Sequence, residues 1–236
     1  MSKNKKEEKK IFKIITLGDS GVGKTSILKR FVTGKFEQKT LSMLGFETST
    51  KDIILNNGTK ITLKLIDTAG QEKYQSLTTN YIRNADGVLF IFSHESRDSF
   101  NNIKRWVNSF KDNNDDNDFD KEFPAYLIGN KCDLEHEVDD YEINQLKDEN
   151  NFCWYTDTSA KEDIGIDKVF YEMGEKLIKT KGDNKKRQKV KRIVKYKKKK
   201  NVLTANSSKE IIKWYIKSIE TSIFNNNNNY IWKIKI

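Results

Sequence analysis

Cysteine is scarce in this 236-residue chain. Cys132 and Cys153 are the only two, too few for a disulfide framework, so a reducing, cytosolic setting is expected. No apolar run reaches the length of about eighteen residues that a membrane-crossing helix needs, and none is expected. Residues 1–10 are almost wholly polar or charged and lack the apolar centre of a secretory signal. No internal repeat is apparent. Net positive charge is also missing from most of the chain, although the net charge is +10. Residues 182–236 hold 16 Lys plus Arg against 3 Asp plus Glu, a net of +13, which leaves −3 on residues 1–181. The basic character belongs to the tail, so the protein as a whole is not expected to be a nucleic-acid binder.

What is present is an alternation of apolar strands and amphipathic helices. Residues 11–17, IFKIITL, read as a buried strand ending at a glycine loop. Residues 25–33 place Ile27, Leu28, Phe31 and Val32 on one helix face. Residues 46–55 and 60–67 alternate around Asn56-Asn57-Gly58, a hairpin signal. Residues 87–93 and 125–130 are short apolar runs suited to strands covered on both faces. Helices are predicted over 98–111, 139–149 and 164–179, and a strand over 152–156. This order predicts an α/β domain with a parallel-rich sheet. Residues 112–122 are acidic and Asn-rich, as a surface loop insertion would be. The expected organisation is a charged extension over 1–10, one globular domain over 11–181, and a low-complexity basic tail over 182–236.

Gly18-Asp19-Ser20-Gly21-Val22-Gly23-Lys24-Thr25 matches G-x-x-x-x-G-K-[ST] and falls between a strand and a helix start. Gly18, Gly21 and Gly23 let the backbone curl close to a ligand. The amides of residues 21–25, with Ser26 behind them, then form an anion nest at a helix N-terminus. Lys24 is expected to set its cation on the β and γ phosphates, and the Thr25 hydroxyl to join a Mg2+ shell. Asp67-Thr68-Ala69-Gly70-Gln71 lies at the end of the third strand. Asp67 is a candidate second Mg2+ residue, acting through water. Gly70 would offer its amide to a γ-phosphate, and Gln71 would orient an attacking water.

Asn130-Lys131-Cys132-Asp133 closes the strand at 125–130. The Asp133 carboxylate can accept from the N1–H and 2-amino group of guanine. Adenine offers neither donor and would leave that carboxylate desolvated and unpaired. Lys131 can lay its stem along the base plane. Thr158-Ser159-Ala160-Lys161 follows the last predicted strand, and the Ala160 amide could meet the guanine O6.

In that order, GDSGVGKT, DTAGQE, NKCD and TSAK resemble the Ras superfamily of small GTPases. The flanking words LKRF at 28–31, DTAGQEKYQSL at 67–77 and SFNNIKRW at 99–106 are most similar to the Rab branch. The likeness runs from about Ile11 to Lys179. It implies a P-loop NTPase fold: a six-stranded, mostly parallel sheet with helices on both faces. It also implies a monomeric, slow GTP hydrolase, GTP/GDP switching and vesicle-traffic regulation, with an exchange factor, an activating protein and effectors as partners. Phe36 falls where the family stacks an aromatic ring on the base. No internal arginine finger is identifiable, so a partner is expected to supply one.

The sequence departs from the family in three places. Met43 stands where the first switch carries a Thr that reports the γ-phosphate and Mg2+, and a thioether is a poor ligand for that hard cation. Either Ser42 takes the role or the GTP state is weakly ordered. Ile66 replaces a typical Trp, and Phe46 and Thr48 replace a typical Val and Phe, all on the expected effector surface. No Cys follows Cys153, so no prenyl anchor is expected.

In the tail, Lys185–Lys200 is a dense basic run, and Ser207-x-x-Glu210 is a capping-box signature. Beyond it, Ile211, Ile212, Tyr215, Ile216, Ile219 and Ile223 share one face of a candidate helix over 207–224. Solvated disordered chain, contact with an anionic membrane surface, and nuclear-import or RNA-binding roles all fit this composition. The expected location is cytoplasmic, peripheral on endomembranes. Two functional classes stand side by side: a GTP-hydrolysing switch, and a non-cycling GTP/GDP-binding module with a degraded first switch acting as an interaction protein. Gln71 favours the first and Met43 the second.

Overall fold

The computed structural model describes residues 10–37, 46–68, 82–114 and 123–181. The chain divides after Gly182, and the second unit, Asp183–Ile236, lies wholly outside the described residues. With it lie the predicted amphipathic helix and most of the acidic insertion.

β1 (Lys10–Leu17) is followed by α1 (Lys24–Thr33) and the pair β2 (Phe46–Ile54) and β3 (Lys60–Thr68). Next come β4 (Gly87–Ser93), α2 (Arg97–Asn101), α3 (Ile103–Asp112) and β5 (Ala125–Asn130). α4 (Asp140–Glu149) and β6 (Trp154–Thr158) follow, and a last helix, α5, runs over residues 166–181. The six strands form one sheet in the order β2-β3-β1-β4-β5-β6. Only β2 is antiparallel to its neighbour. The predicted hairpin forms: Ile54 pairs with Lys60, and Gly58 takes the positive φ of 77° that the turn requires.

Strand alternation divides the core into two layers. On β1, Phe12 and Ile14 face α1 and α5, while Ile15 and Leu17 face α2, α3 and α4. β4 repeats the pattern, with Leu89 and Ile91 on one side and Val88, Phe90 and Phe92 on the other. Because helices cover both faces, β4 and β5 are buried along their whole length. Among the described residues, no helix is long and apolar enough to cross a membrane.

Three expectations need correction. The helix predicted over 98–111 is two helices meeting at Asn102. There the Arg105 amide bonds to the Asn102 carbonyl at 3.0 Å, a three-residue turn that tightens the chain. The strand predicted over 152–156 starts and ends two residues later. Phe152 is buried, yet its amide bonds back to Lys147 at the end of α4, and sheet pairing begins at Trp154 opposite Tyr126. Ile66, expected on the effector surface, is 1% exposed, because it sits on the face of β3 that joins the second core. Thr48 is exposed as expected, and the Phe46 side chain lies outside the described set.

The aromatic stack in the first core supports a stability prediction. Phe170 on α5 is fully buried and stacks on Phe31 of α1, with ring centroids 3.8 Å apart. Phe170→Ala should cost about 3–5 kcal/mol through lost burial and an unfilled cavity, measured as a lower urea midpoint with an unchanged slope.

Candidate functional site

All parallel strands end at the same edge of the sheet, and the loops that leave those ends converge. Residues 18–23 connect β1 to α1 and curl tightly. Gly18 has φ 148° and Gly23 has φ 98°. Each position also lacks room for a side chain. A Cβ on Gly18 would overlap the Ile91 carbonyl of β4, and one on Gly23 would overlap the Asn130 side-chain amide. The loop therefore lies directly on the ends of β4 and β5.

Asn130 makes that contact cohesive. Its Nδ2 donates to the Val22 carbonyl at 2.7 Å, and its Oδ1 accepts from the Thr158 hydroxyl at 3.1 Å. One buried side chain thus joins the phosphate loop, β5 and the end of β6. The β5–β6 ladder ends with Thr158 paired opposite Asn130.

Lys24 is 5% exposed, and its amine donates to the carbonyls of Gly18 at 2.9 Å and Asp19 at 2.7 Å. Burial lowers its pKa to about 8, against the opposing pull of Asp67 and Asp19. Asp67, at the end of β3, shows the opposite perturbation. Burial raises its carboxyl, while hydrogen bonds from Thr25 and Thr16 and the Lys24 charge pull it back. A hydroxyl and a buried carboxylate facing each other form an all-oxygen pair suited to a hard cation such as Mg2+. Among the described residues, no group of three or more His, Cys, Asp or Glu forms an all-protein metal cage. A shared site, in which phosphates and water complete the shell, fits that donor set.

The far end of the site lies beyond β5 and β6. The Ser159 hydroxyl donates to Asp133 Oδ1 at 2.5 Å, and Lys161 Nζ lies 3.8 Å from Asp133 Oδ2. Ser159 and Ile164 exchange two backbone hydrogen bonds of 3.0 Å, closing the loop between them. Lys131 has a positive φ of 62°, and its amine is ion-paired with Glu95. Phe36, after α1, is half-buried against the first core. A glycine loop and an acidic hydrogen-bond acceptor thus sit at opposite ends of the site, joined through Asn130.

Residues 13–179 match the model of the Ras family. The chain belongs to the Ras family. It is 38% identical to Ras-related protein Rab-11B of Dictyostelium discoideum over 160 residues, 67% of this chain and 70% of that protein. It is 39% identical to Ras-related protein Rab-9B of Mus musculus over 163 residues, covering 69% and 80%. Against Ras-related protein SEC4 of Saccharomyces cerevisiae it is 34% identical over 185 residues, covering 78% and 83%. The protein is a small GTPase most similar to Rabs. It binds guanine nucleotide, hydrolyses GTP to GDP and acts as a switch in vesicle traffic.

Within this GTPase the described structure places Gly18 to Ser26, Asp67, Asn130, Lys131, Asp133 and Ser159 to Lys161 along one edge. Gly70, Gln71, Ser42 and Met43 lie outside the described residues. Asp19 contributes its main chain rather than its carboxylate. That carboxylate turns away to accept from Asn102 Nδ2 at 2.7 Å, Arg105 Nη2 at 3.2 Å and Trp106 Nε1 at 2.7 Å. Asn102, Arg105 and Trp106 lie in the word SFNNIKRW but had no site role assigned, and Glu95 was not singled out at all. Their partners are 36 to 87 positions away, and no local spacing marks such pairs.

The lowered Lys24 pKa leads to a proton-linkage test. Phosphate beside the amine raises its pKa again. GDP binding at about pH 8.5 should therefore take up roughly three quarters of a proton, and affinity should fall as pH rises above 8. Calorimetric titration in two buffers of different ionisation enthalpy measures the uptake, which should fall as the pH is lowered towards 7.

Proposed function

We propose that the GTPase cycle runs on the following residues. The amides of Gly21 to Thr25 cradle the phosphates, with Gly18 to Val22 shaping the loop and Ser26 completing the first helical turn. Lys24 exchanges its two carbonyl partners for β and γ phosphate oxygens. The observation that carries this reading is that amine: buried, depressed in pKa, and held on main-chain carbonyls at the mouth of the loop. A cation so placed gains most from an incoming anion.

Thr25 and Asp67 hold Mg2+, supported by their opposed hydroxyl and carboxylate. Held by these two residues, the ion would supply charge neutralisation to the phosphates. Asp133 accepts from the N1–H and 2-amino group of guanine, Ala160 donates its amide to O6, and Lys131 and Phe36 flank the base plane. Ser159 and Lys161 hold Asp133 in position, as their contacts with its two oxygens suggest. Asn130 braces rather than reads. Gly70 meets the γ-phosphate through its amide, and Gln71 orients the attacking water.

The protein works in the cytoplasm, peripherally on endomembranes, with an exchange factor, an activating protein that supplies an arginine, and effectors. The basic tail beyond residue 181 contacts anionic lipid, where each Lys or Arg contributes about 1 kcal/mol. Met43, in the position of the switch threonine, weakens γ-phosphate sensing.

Two measurements test these roles. Unassisted single-turnover hydrolysis should proceed on the order of 10⁻⁴ per second, and Gln71→Ala should slow it at least tenfold with GTP and GDP affinities unchanged. Met43→Thr should widen the preference of effector binding for the GTP form. If it changes neither that preference nor the Mg2+ dependence of hydrolysis, the proposed weakness of the first switch is wrong.

A further inference from the structure

The word LKRF contains a residue that the proposed cycle does not use. Arg30 lies near the end of α1, on the helix that follows the phosphate loop. Its guanidinium does not reach towards the phosphates. Nε donates to the Ala160 carbonyl at 2.8 Å, Nη2 to the Lys161 carbonyl at 2.9 Å, and Nη1 to the Gly34 carbonyl at 2.9 Å. The side chain is only 15% exposed. Asp163, 4.0 Å away and 61% exposed, is a marginal ion-pair partner, so the main partners are three main-chain carbonyls.

Each of these hydrogen bonds fixes a peptide plane. A trans peptide sends its N–H opposite to its carbonyl, and the described chain has no cis bond. Drawing the Ala160 carbonyl towards α1 turns the Lys161 amide away from it. Drawing the Lys161 carbonyl the same way turns the Glu162 amide round to donate to Ser159 Oγ at 3.0 Å. The Ser159 hydroxyl is then committed to Asp133 Oδ1 at 2.5 Å. A continuous chain of hydrogen bonds therefore runs from Arg30 to the carboxylate that reads the base. The third bond, to Gly34, fixes the start of the segment carrying Phe36, whose ring centroid lies 6.0 Å from the guanidinium carbon.

We propose that Arg30 is a specificity-positioning residue that holds the 159–162 loop in register, so that the base edge meets an oriented Asp133. The inference rests on the guanine reading given above. A charged donor satisfying three carbonyls is worth more than neutral pairs, and its loss leaves those carbonyls to find other partners. Lysine cannot replace it, because a single ammonium lacks the planar fork that spans three acceptors.

The test separates base reading from general stability. GDP is compared with purine riboside 5′-diphosphate, which keeps the ribose and phosphates but lacks the 2-amino and 6-oxo groups. Both are titrated into full-length wild type, Arg30→Ala and Arg30→Lys. Arg30→Ala should weaken GDP roughly tenfold to a hundredfold and leave the purine analogue within about twofold, with Arg30→Lys intermediate. Equal losses for both ligands would reduce Arg30 to a structural tie and overturn the inference while sparing the guanine reading. If Arg30→Ala does not yield folded protein, the same comparison on Arg30→Lys decides. Wild type that does not prefer GDP to the analogue overturns both readings.

Discussion

The contact between the phosphate loop and the ends of β4 and β5 governs the rest of the site. It depends on the lack of a side chain at Gly18 and Gly23, since a Cβ at either would meet the Ile91 carbonyl or the Asn130 amide. A loop held even slightly away would lose the Asn130 bond to Val22, and with it the tie between phosphate end and base end. The parallel sheet makes this possible by ending β1, β4, β5 and β6 at one edge. The nucleotide-binding edge is therefore a property of three adjoining loops and not of any one motif.

Electrostatics within that edge point the same way. Lys24 and Asp67 are both desolvated, and burial shifts them in opposite directions, down for the amine and up for the carboxyl. Each is partly compensated by the other, yet the amine's direct partners are carbonyls rather than the carboxylate. A ligand bringing both phosphate and a divalent cation relieves the two at once. Asp19 adds negative charge near the loop, but its carboxylate takes donors from Asn102, Arg105 and Trp106, which direct it away from the cradle. This keeps an acidic residue in a phosphate loop from opposing its ligand.

Much of this was legible in the sequence because the signals were local. Strand runs, the Asn-Asn-Gly turn and the G-x-x-x-x-G-K-T spacing each constrain a few neighbouring residues, and those elements fell close to their expected positions. Signals that depend on distant partners were not legible. Nothing near Asn102 marks the break between α2 and α3, because its side-chain partner Asp19 is 83 residues away. Phe152 looked like a strand residue because it is apolar, but that apolarity fills the core below α4. Ile66 was assigned to the surface by family position, whereas alternation along β3 turns it inward. Arg30 and Ala160 are 130 residues apart, and only the folded chain connects them.

The same geometry explains how this chain can diverge from other Rabs without loosening its hold on guanine. The elements proposed to read the base hang from β5 and β6, at one side of the sheet. They are supported from below by His94, whose Nε2 lies 2.6 Å from Asp157, and by Tyr155, which donates to the same carboxylate. Burial alone would raise the Asp157 carboxyl, but those partners outweigh it and leave it lower than usual, next to Thr158 at the end of β6. Thr48 lies on β2, the opposite edge strand, with β3, β1 and β4 in between. Substitution there does not touch the ties among Asn130, Ser159, Asp133 and Arg30. The proposed base-reading contacts and Thr48 stand towards opposite sides of one sheet, so a change at the second leaves the first in place.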